Sequence, residues 1–481
     1  MMNLYEMLKN YSNTDYYGFH MPGHKRNENL TNCDLPYSID ITEIEGFDDL
    51  HHADGILKEA ENKAAILYHA QETSFLVNGS TVGILSAVMG CTLRGDKILI
   101  SRNCHKSVYH AIYMNGLKPV YVYPRFYEEE ELNGPVEASD VEELLCQNPG
   151  IRAVVITSPT YDGVVSDVKA IADVTHRKNI PLIVDEAHGA HFGFHSYFPQ
   201  NSNVYGADIV IHSLHKTLPS LTQTALIHMN GSLADRKKIK GYLHMLQTSS
   251  PSYVLMAGMD VCMDLISKRG SEIFETYTVM LEKMRNSLKE LKILRLAETE
   301  SYDKSKLVIS VKGTGISGRQ FYEKLLNQYH LQLEMAAGSY VLAMTSVGDT
   351  QEGMSRLTSA LKEMDFLLDK KMTEFEPKAG EQGKSKVNFS LPKLRKIYTS
   401  AEVDDLLNHS SGSKVISLQW QNAEGWISTE YAYVYPPGTP LVVPGEEISR
   451  EAAELICKYE ALGFSVEGPE RKGRIEVLAN G

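Results

Sequence analysis

Short apolar runs alternate with stretches of helical spacing through the N-terminal half of the chain. The runs predict strands, and the segments between most of them, such as 141–146 and 168–178, have the period of an amphipathic helix. This alternation predicts an α/β fold with a mostly parallel seven-stranded sheet covered by helices. Ligands of such sheets bind at the carboxyl ends of the strands. The predicted strands are 74–77, 97–100, 119–123, 153–157, 181–185, 208–212 and 224–228.

A different pattern begins near residue 300 and predicts a small α+β domain, which a polar linker separates from a C-terminal α+β domain. In the small domain the predicted elements are strand 306–311, helix 318–326, strands 331–335 and 340–345, and helix 351–368. In the C-terminal domain they are strands 415–420, 426–435 and 441–443. The predicted division is an irregular N-terminal arm (1–50), a large domain (51–295), the small domain (296–370), the linker (371–387) and the C-terminal domain (388–481).

Composition narrows the class of protein but does not give a function. A chain of 481 residues is too long for one core, so several domains are expected. The net charge of −13 argues against a nucleic-acid surface and is compatible with a small cationic ligand. Six scattered cysteines without a CxxC pair fit reduced thiols. We expect no signal peptide and no membrane helix, and therefore a cytoplasmic protein.

Lys216 has the most informative surroundings in the sequence. It lies in the run His212-Ser-Leu-His-Lys-Thr-Leu, 31 residues after Asp185, which ends an apolar run. An Asp at a strand end followed at this distance by Ser-x-His-Lys is typical of a pyridoxal-phosphate enzyme. In such enzymes the lysine amine forms the Schiff base and the carboxylate pairs with the protonated pyridine nitrogen. The alternative is a surface lysine that follows a buried strand.

Two further segments could complete such a site. Gly79, Ser80 and Thr81 follow a predicted strand and begin a predicted helix, where backbone amides, hydroxyls and the helix dipole suit a phosphate. The alternative is an ordinary helix N-cap. His105 follows the predicted strand 97–100, and its flat ring could stack on a pyridine ring. A histidine in a loop facing solvent is the alternative there.

Three other patterns are set aside. Asp185-Glu-Ala-His spells a helicase box, but no upstream phosphate loop accompanies it, and the near match at 380–385 follows no strand. The GxGxxG at 313–318 leaves too few residues before the linker for a dinucleotide-binding domain, so we interpret it as a turn between a strand and a helix. A metal site at His188 and His191 lacks a third clustered ligand, and we expect no metal.

Six motifs, in order along nearly the whole chain, resemble the bacterial ornithine/lysine/arginine decarboxylase family. The resemblance is greatest to its short Gram-positive-type arginine decarboxylases, which lack the extra N-terminal wing domain of the large inducible enzymes. The motifs are Met21-Pro-Gly-His-Lys, Arg102-Asn-Cys-His-Lys-Ser, Val184-Asp-Glu-Ala-His-Gly-Ala-His, Ser213-Leu-His-Lys-Thr-Leu, Thr248-Ser-Ser-Pro-Ser-Tyr-Val-Leu-Met-Ala and Val434-Tyr-Pro-Pro-Gly-Thr-Pro-Leu-Val-Val-Pro-Gly-Glu.

The resemblance implies the fold of aspartate aminotransferase and pyridoxal 5'-phosphate as cofactor. It implies that Lys216 bonds covalently to the cofactor, that Asp185 pairs with the ring nitrogen and that His105 stacks on the ring. His188 stands where larger members have a bulky aromatic residue, so it could contact either the ring or the substrate. Glu446 would approach the distal cation of the substrate. The implied cofactor residues are Gly79, Ser80, Thr81, His105, Asp185, His188, Ser213, His215 and Lys216.

The expected function is therefore decarboxylation of a basic amino acid in polyamine biosynthesis. Either Lys216 or His215 would protonate Cα after loss of CO₂. By resemblance the substrate is arginine, giving agmatine, before lysine (cadaverine) and ornithine (putrescine). The candidate acids for the distal cation are Asp48, Asp49, Glu43, Glu45 and Glu446.

Two alternatives to this function stay open in the sequence. An aminotransferase on the same scaffold would need an arginine for the α-carboxylate, and Arg356 is the nearest candidate. A dinucleotide-binding regulator would use the glycines at 313–318. We expect a homodimer or a multiple of it, in which the irregular first fifty residues wrap a partner.

Overall fold

The computed structural model describes residues 2–17, 19–28, 31, 33–374, 389–409, 415–435 and 438–479. Its helices are α1 (Leu4–Ser12), α2 (Ile56–Leu67), α3 (Gly79–Cys91), α4 (Lys106–Met114), α5 (Ala138–Gln147), α6 (Val168–His176), α7 (Leu214–Thr217), α8 (Arg236–Leu246), α9 (Tyr253–Leu288), α10 (Gly318–Tyr329), α11 (Gln351–Glu374), α12 (Ser400–His409) and α13 (Arg450–Ala461). Short 3₁₀ helices occupy Tyr37–Ile39, Leu50–His52 and Trp420–Asn422.

The strands are β1 (Glu72–Leu76), β2 (Lys97–Ser101), β3 (Lys118–Val122), β4 (Phe126–Tyr127), β5 (Leu132–Asn133), β6 (Ile151–Thr157), β7 (Leu182–Asp185), β8 (Ile209–Ser213), β9 (Ala225–Met229), β10 (Arg295–Ala297), β11 (Lys306–Ser310), β12 (Met335–Ala336), β13 (Tyr340–Met344), β14 (Arg395–Lys396), β15 (Val415–Gln419), β16 (Ala432–Tyr435), β17 (Thr439–Val442), β18 (Glu446–Glu447), β19 (Ser465–Glu467) and β20 (Arg474–Leu478).

All seven predicted strands of the N-terminal half form one sheet, in the order β1-β9-β8-β7-β6-β2-β3. Strands β6, β7 and β8 pair in parallel, as do β2 and β3, whereas β9 runs antiparallel to both β1 and β8. The observed strand ends lie within two residues of the predicted ones. The predicted mostly parallel sheet is therefore confirmed.

The chain folds as two compact units, each made of several segments. The first contains Met1–Leu93, Arg152–Pro159 and Val168–Thr276, and the second contains Arg94–Ile151, Thr160–Asp167 and Tyr277–Gly481. The predicted five-part division into contiguous domains stays a prediction. Of its linker, residues 371–374 belong to the end of α11, and 375–387 lie outside the described residues.

Helix α3 packs closely on the sheet of the first unit because Gly83 lets it approach. A Cβ atom at Gly83 would lie 2.7 Å from Leu76 Cδ1 of β1 and 3.4 Å from Ile211 of β8. Real side chains do not come so close, so only glycine fits here without displacing its neighbours. The helix therefore covers the face of the sheet to which Leu76 and Ile211 point.

The second unit contains an antiparallel four-stranded sheet in the order β10-β11-β13-β12. The GxGxxG follows β11 and opens α10. Gly313 and Gly315 have positive φ angles of 83° and 79°, and a Cβ at Gly318 would lie 2.2 Å from the carbonyl oxygen of Ala337. These glycines shape a turn and a close backbone approach, which agrees with the structural interpretation of the motif.

The C-terminal part of the second unit has three small sheets around its own apolar core. Their orders are β17-β16-β19, β15-β20 and β14-β18. Trp420 is buried in this core, which also contains Ile448, Ile456 and Val477. Pro436 and Pro437, from the last of the six motifs, lie outside the described residues.

Several predictions of secondary structure were wrong. The N-terminal arm is not wholly irregular, because α1 begins with a capping box between Asn3 and Glu6. Only Met335–Ala336 of the predicted strand 331–335 pairs, and the predicted strand 426–435 is regular only from Ala432. The sequence analysis also assigned no element to α9, the 36-residue helix Tyr253–Leu288. Among the helices of the described segments, none combines the length and apolar character that a membrane crossing requires.

Candidate functional site

Asp185 and Lys216 lie at the carboxyl ends of neighbouring strands of the seven-stranded sheet. Asp185 is the last residue of β7, and Lys216 belongs to α7, which directly follows β8. Because β7 and β8 are parallel neighbours, with Asp185 opposite Ile211, their carboxyl ends meet. The fold thus brings together the two residues that the sequence analysis paired by their spacing.

The Lys216 amine is in hydrogen-bond contact with His188. The distance from Lys216 Nζ to His188 Nε2 is 3.0 Å. His188 is buried and follows Asp185 by three residues, within the tight turn after β7. An imidazole at this distance can accept a hydrogen bond from the amine, so His188 has a contact with Lys216 that its sequence position did not reveal.

The Asp185 carboxylate is buried and accepts a hydrogen bond from the backbone N–H of Ala187 at 3.2 Å. Burial raises its pKa above the ordinary value for aspartate, while the nearby positive charge of Lys216 opposes that rise. A carboxylate in this environment gains from a cationic partner that shares its burial. A protonated ring nitrogen is such a partner.

The strand register shows which side chains share the face with Asp185. Paired residues point to the same face and neighbours along a strand point to opposite faces, so Asp185, Ile211 and Ser213 lie on one face. Helix α3 covers this face through Gly83 and Ile211. Its N-terminus supplies Gly79, Ser80 and Thr81, which are half-buried to exposed.

Two of the predicted cofactor residues, Gly79 and His215, flank one short segment, Gln223–Thr224. A Cβ atom at Gly79 would lie 3.9 Å from the carbonyl oxygen of Gln223, and Gly79 has a positive φ of 74°. His215 Nδ1 lies 3.0 Å from the carbonyl oxygen of Thr224. The Nδ1–H therefore donates to that oxygen, which leaves Nε2 as the lone-pair nitrogen of the neutral ring. Burial lowers the pKa of His215.

Ser213 has a buried hydroxyl that forms no hydrogen bond with the described residues. It is the N-cap of α7, yet its side chain does not cap that helix. An unpaired buried hydroxyl costs free energy, so an acceptor brought by a ligand would stabilise it. Together with the helix N-terminus of α3, Asp185 and Lys216, it fits a cofactor that carries an anionic group, a ring nitrogen and a carbonyl.

Two predicted site residues, His105 and Glu446, belong to the second unit. His105 is the N-cap of α4, and its Nδ1 accepts a hydrogen bond from the backbone N–H of Ser107 at 3.3 Å. Its stacking role stays a prediction. Glu446 is fully buried and pairs with the guanidinium of Arg102 at 3.2 Å. This internal partner does not favour the predicted contact of Glu446 with substrate.

The other candidate acids for the substrate cation differ in what they already bind. Asp48 accepts hydrogen bonds from four backbone N–H groups, and Asp49 accepts one from the backbone of His51 and pairs with His52. Glu45 is exposed. Glu43 has a buried carboxylate oxygen without a hydrogen bond to the described residues, as does Glu446, so Glu43 is a candidate to receive a cation.

The sequence analysis missed the residues behind the site. Glu186 is buried next to Asp185 and pairs with His212, which in turn contacts His228. The signal was a histidine inside each of two apolar strands, β8 and β9, where the polar ring needs a partner. No three His, Cys, Asp or Glu side chains of the described segments are arranged to hold a metal ion.

Comparison with known proteins identifies relatives over nearly the full chain. The family model described as Orn/Lys/Arg decarboxylase, major domain, matches residues 2–342, and that of the C-terminal domain matches residues 396–462. A curated arginine decarboxylase of Bacillus subtilis is 32% identical, covering 97% of this chain and 95% of the relative. An arginine decarboxylase of Bacillus anthracis is 30% identical, covering 97% and 94%.

Solved structures share the fold at lower identity. The lysine decarboxylase of Francisella novicida superposes with a TM-score of 0.81 at 19% identity, covering 99% of this chain and 80% of that one. The constitutive lysine decarboxylase of Escherichia coli gives 0.78 at 18% identity, with 99% and 81% covered. An alanine–glyoxylate aminotransferase from Nostoc gives 0.53 at 13% identity over 64% of this chain and 85% of that one.

The unpaired hydroxyl of Ser213 generates a first prediction. We expect Ser213→Ala to weaken pyridoxal-phosphate binding by about tenfold or more, the effect of losing one hydrogen bond to a charged group. Ser86→Ala is the matched control, since Ser86 in α3 also has a buried hydroxyl without a hydrogen bond to the described residues. Cofactor titration followed by absorbance measures both variants, and equal affinities in Ser213→Ala and Ser86→Ala would contradict the assignment.

Proposed function

Since the chain belongs to the Orn/Lys/Arg decarboxylase family, we propose that it uses pyridoxal phosphate to decarboxylate arginine to agmatine. The family consists of decarboxylases of basic amino acids, and the choice of arginine rests on the curated relatives named above. The observation that carries the chemistry is the cluster of Lys216, His188 and Asp185 at one edge of the sheet. This cluster supports the proposal because it brings an amine, an imidazole and a buried carboxylate together.

The cofactor, when bound, supplies an electron sink for the pair of electrons left by CO₂. Lys216 Nζ would hold its carbonyl carbon, and the α3 N-terminus with Ser213 would hold its phosphate. Asp185 would hold a proton at the ring nitrogen. His188 Nε2, at 3.0 Å from Lys216 Nζ, can take up or return the proton of that amine.

The proton that Cα receives after CO₂ leaves has two candidate donors in the sequence, and the geometry favours Lys216. The hydrogen bond from His215 Nδ1 to Thr224 and the lowered pKa of His215 keep its ring neutral, with Nε2 as an acceptor. A neutral ring whose only N–H is engaged with a carbonyl is a poor acid. The Lys216 amine, with His188 beside it, can carry the proton to Cα.

An aminotransferase on the same scaffold is less supported. Arg356 lies exposed on α11 and donates hydrogen bonds to the carbonyl oxygens of Tyr329 and His330, at the C-terminus of α10. A guanidinium at a helix C-terminus stabilises that end of the helix. This accounts for Arg356 without a substrate carboxylate.

The decisive experiment supplies purified, cofactor-loaded protein with arginine, lysine and ornithine in turn and measures CO₂ and the amine formed. We expect agmatine from arginine at the highest kcat/KM. Lys216→Ala should remove turnover and the visible absorption of bound cofactor, whereas Lys106→Ala should keep both. Consumption of a keto acid with exchange of the amino group would show an aminotransferase instead.

Substrate recognition would involve Glu43, whose buried oxygen is free to accept from a guanidinium. Lysine and ornithine, with compact ammonium groups, remain the second and third candidates. We also propose a cytoplasmic location, which is supported by six cysteines that form no disulfide with one another.

We propose that the protein forms a homodimer through its N-terminal arm. Large apolar side chains are exposed there, including Tyr17 at 71% and Phe19 at 91%. A contiguous exposed patch of this kind marks an interaction surface. The irregular arm would cover a second copy of the chain.

The arm generates a prediction about assembly. We expect the double variant Tyr17→Ser/Phe19→Ser to weaken the dimer by at least tenfold, because two apolar anchors are removed. Light scattering over a range of concentrations measures the shift. Ile66→Ser in α2 is the matched control, since Ile66 is also an exposed apolar residue (75%) but lies outside the arm. Wild-type protein that is monomeric at all concentrations would refute the proposal.

A further inference from the structure

Four buried polar side chains form a continuous chain behind the candidate site. Glu186 Oε1 lies 2.8 Å from His212 Nε2, His212 Nδ1 lies 2.9 Å from His228 Nε2, and His228 Nδ1 lies 2.7 Å from Thr73 Oγ1. All four side chains are less than 3% exposed. The chain contacts no solvent, and none of its members has a role in the reaction described above.

The register of β1, β9 and β8 places three of these side chains on one face of the sheet. Thr73 is paired with His228 in an antiparallel ladder, so both point to the same face. His212 is paired with Leu226, two residues from His228, and so shares that face. It is the opposite face from that of Asp185 and Ser213. The four hydrogen-bonded side chains therefore lie behind the strands that carry Asp185 and Ser213.

Every link of the chain can be satisfied by one donor and one acceptor. With Glu186 ionised, His212 Nε2–H donates to the carboxylate, His228 Nε2–H donates to His212 Nδ1, and the Thr73 hydroxyl donates to His228 Nδ1. The other carboxylate oxygen, Oε2, accepts from the backbone N–H of Ser202 at 3.1 Å and from its hydroxyl. A fully satisfied buried network of this kind is rigid.

The charge state of the chain follows from its burial. Burial raises the pKa of Glu186 to about 8 and lowers the pKa of His212 to about 3. Burial also lowers the pKa of His228. Near neutral pH the two imidazoles are therefore neutral. A protonated Glu186 reverses each link: its O–H donates to His212 Nε2, His212 Nδ1–H donates to His228 Nε2, and His228 Nδ1–H donates to the Thr73 hydroxyl, so the chain is satisfied in either protonation state of Glu186.

The same network holds the loop that carries the site residues. Glu186 lies between Asp185 and His188 in the sequence. A Cβ atom at Gly189 would lie 2.6 Å from Glu186 Cγ, so the loop packs tightly on the Glu186 side chain. Tyr68 adds a second anchor. Its ring packs on those of His212 and His228, with centroids 4.6 and 4.7 Å away, and its hydroxyl donates to Ala190 at 2.6 Å.

We propose that Glu186, backed by His212, His228 and Thr73, is a positioning residue that fixes Asp185 and His188 relative to Lys216. This inference rests on the proposed function, which gives Asp185 and Lys216 their roles. Glu186 touches neither cofactor nor substrate in this account. Glu186 connects the loop after β7 to β8, the strand that leads into Lys216, through its hydrogen bond to His212. The Asp185 carboxylate and the Lys216 amine therefore keep a constant separation.

The test compares Glu186→Ala with Glu186→Gln in the cofactor-loaded protein. A carboxylate held at the ring nitrogen keeps that nitrogen protonated, and the positive ring lowers the pKa of the cofactor-bound Lys216 nitrogen. If Asp185 shifts, we expect this pKa, read from the pH dependence of the visible absorption band, to rise by about half a unit to one unit. In Glu186→Ala we also expect kcat to fall by about tenfold while KM changes less than about twofold. Glu186→Gln, which can still bond to His212, should remain close to wild type.

Glu61→Ala is the matched control, because Glu61 is another buried carboxylate of the first unit and accepts a hydrogen bond from the backbone N–H of Phe75 at 3.0 Å. It should lose thermal stability without a shift of the absorption pKa. A shift of equal size in Glu61→Ala, or no shift in Glu186→Ala, would overturn the proposal. If Glu186→Ala does not fold, Thr73→Val is tested instead, because it removes the last hydrogen-bonding hydroxyl of the chain at nearly constant volume. A smaller shift of the absorption pKa in the same direction would support the chain, and no shift would refute it.

The absorption readout also separates this inference from the proposed function. A wild-type protein that binds the cofactor at Lys216 but releases no CO₂ from basic amino acids would refute the proposed reaction, while the shift in Glu186→Ala could still be measured. A protein with the expected decarboxylase activity and an unshifted band in Glu186→Ala would refute only the positioning role.

Discussion

Two carboxylates stand side by side at the buried end of β7, and each needs a partner on its own face of the sheet. Asp185 faces the side covered by α3, with the charge of Lys216 nearby. Glu186 faces the other side, where it is hydrogen-bonded to His212 and Ser202. Burying an acid without partners would cost several kcal/mol or force it to take up a proton. On each face of the sheet the buried acid therefore has a partner: Lys216 is near Asp185, and His212 and Ser202 contact Glu186.

The second unit meets a similar constraint with Arg102 and Glu446. Both side chains are fully buried, and Arg102 also donates to the backbone carbonyl oxygens of Pro440 and Leu441 and packs over Tyr121. Removing one partner of such a pair leaves an uncompensated buried charge, which commonly costs about 3–5 kcal/mol. The glutamate of the Pro-Gly-Glu segment therefore has a structural partner in this unit, and its predicted contact with the substrate cation stays a prediction.

The sequence predicted the sheet well because each of its strands is short, apolar and bounded by turn residues. It also predicted that Lys216 and Asp185 lie close together, since parallel strands bring their carboxyl ends together. It did not predict the chain from Glu186 to Thr73, because those contacts depend on the register between β1, β9 and β8, which no local pattern encodes. The ion pair of Glu446 was not predicted for the same reason: its partner Arg102 lies 344 residues away in the chain.

The helices show the limit of local patterns in another way. The 36 residues of α9 received no assignment, although the helix has buried residues on several sides along its length, such as Met256, Cys262 and Phe274. A helix buried on more than one side loses the clean apolar stripe that marks an amphipathic helix. The N-terminal arm was predicted to be irregular, although it contains the short helix α1. The signal for that helix was the capping box between Asn3 and Glu6.

The central claim is that this sheet edge holds pyridoxal phosphate covalently on Lys216. It is tested most directly by reducing the cofactor-loaded protein with borohydride, digesting it and locating the pyridoxyl group by mass spectrometry. The account predicts the label on the peptide that contains Lys216, with Lys106 and Lys25 unmodified. A label on either of those two lysines, or a loaded protein that yields no labelled peptide, would contradict it.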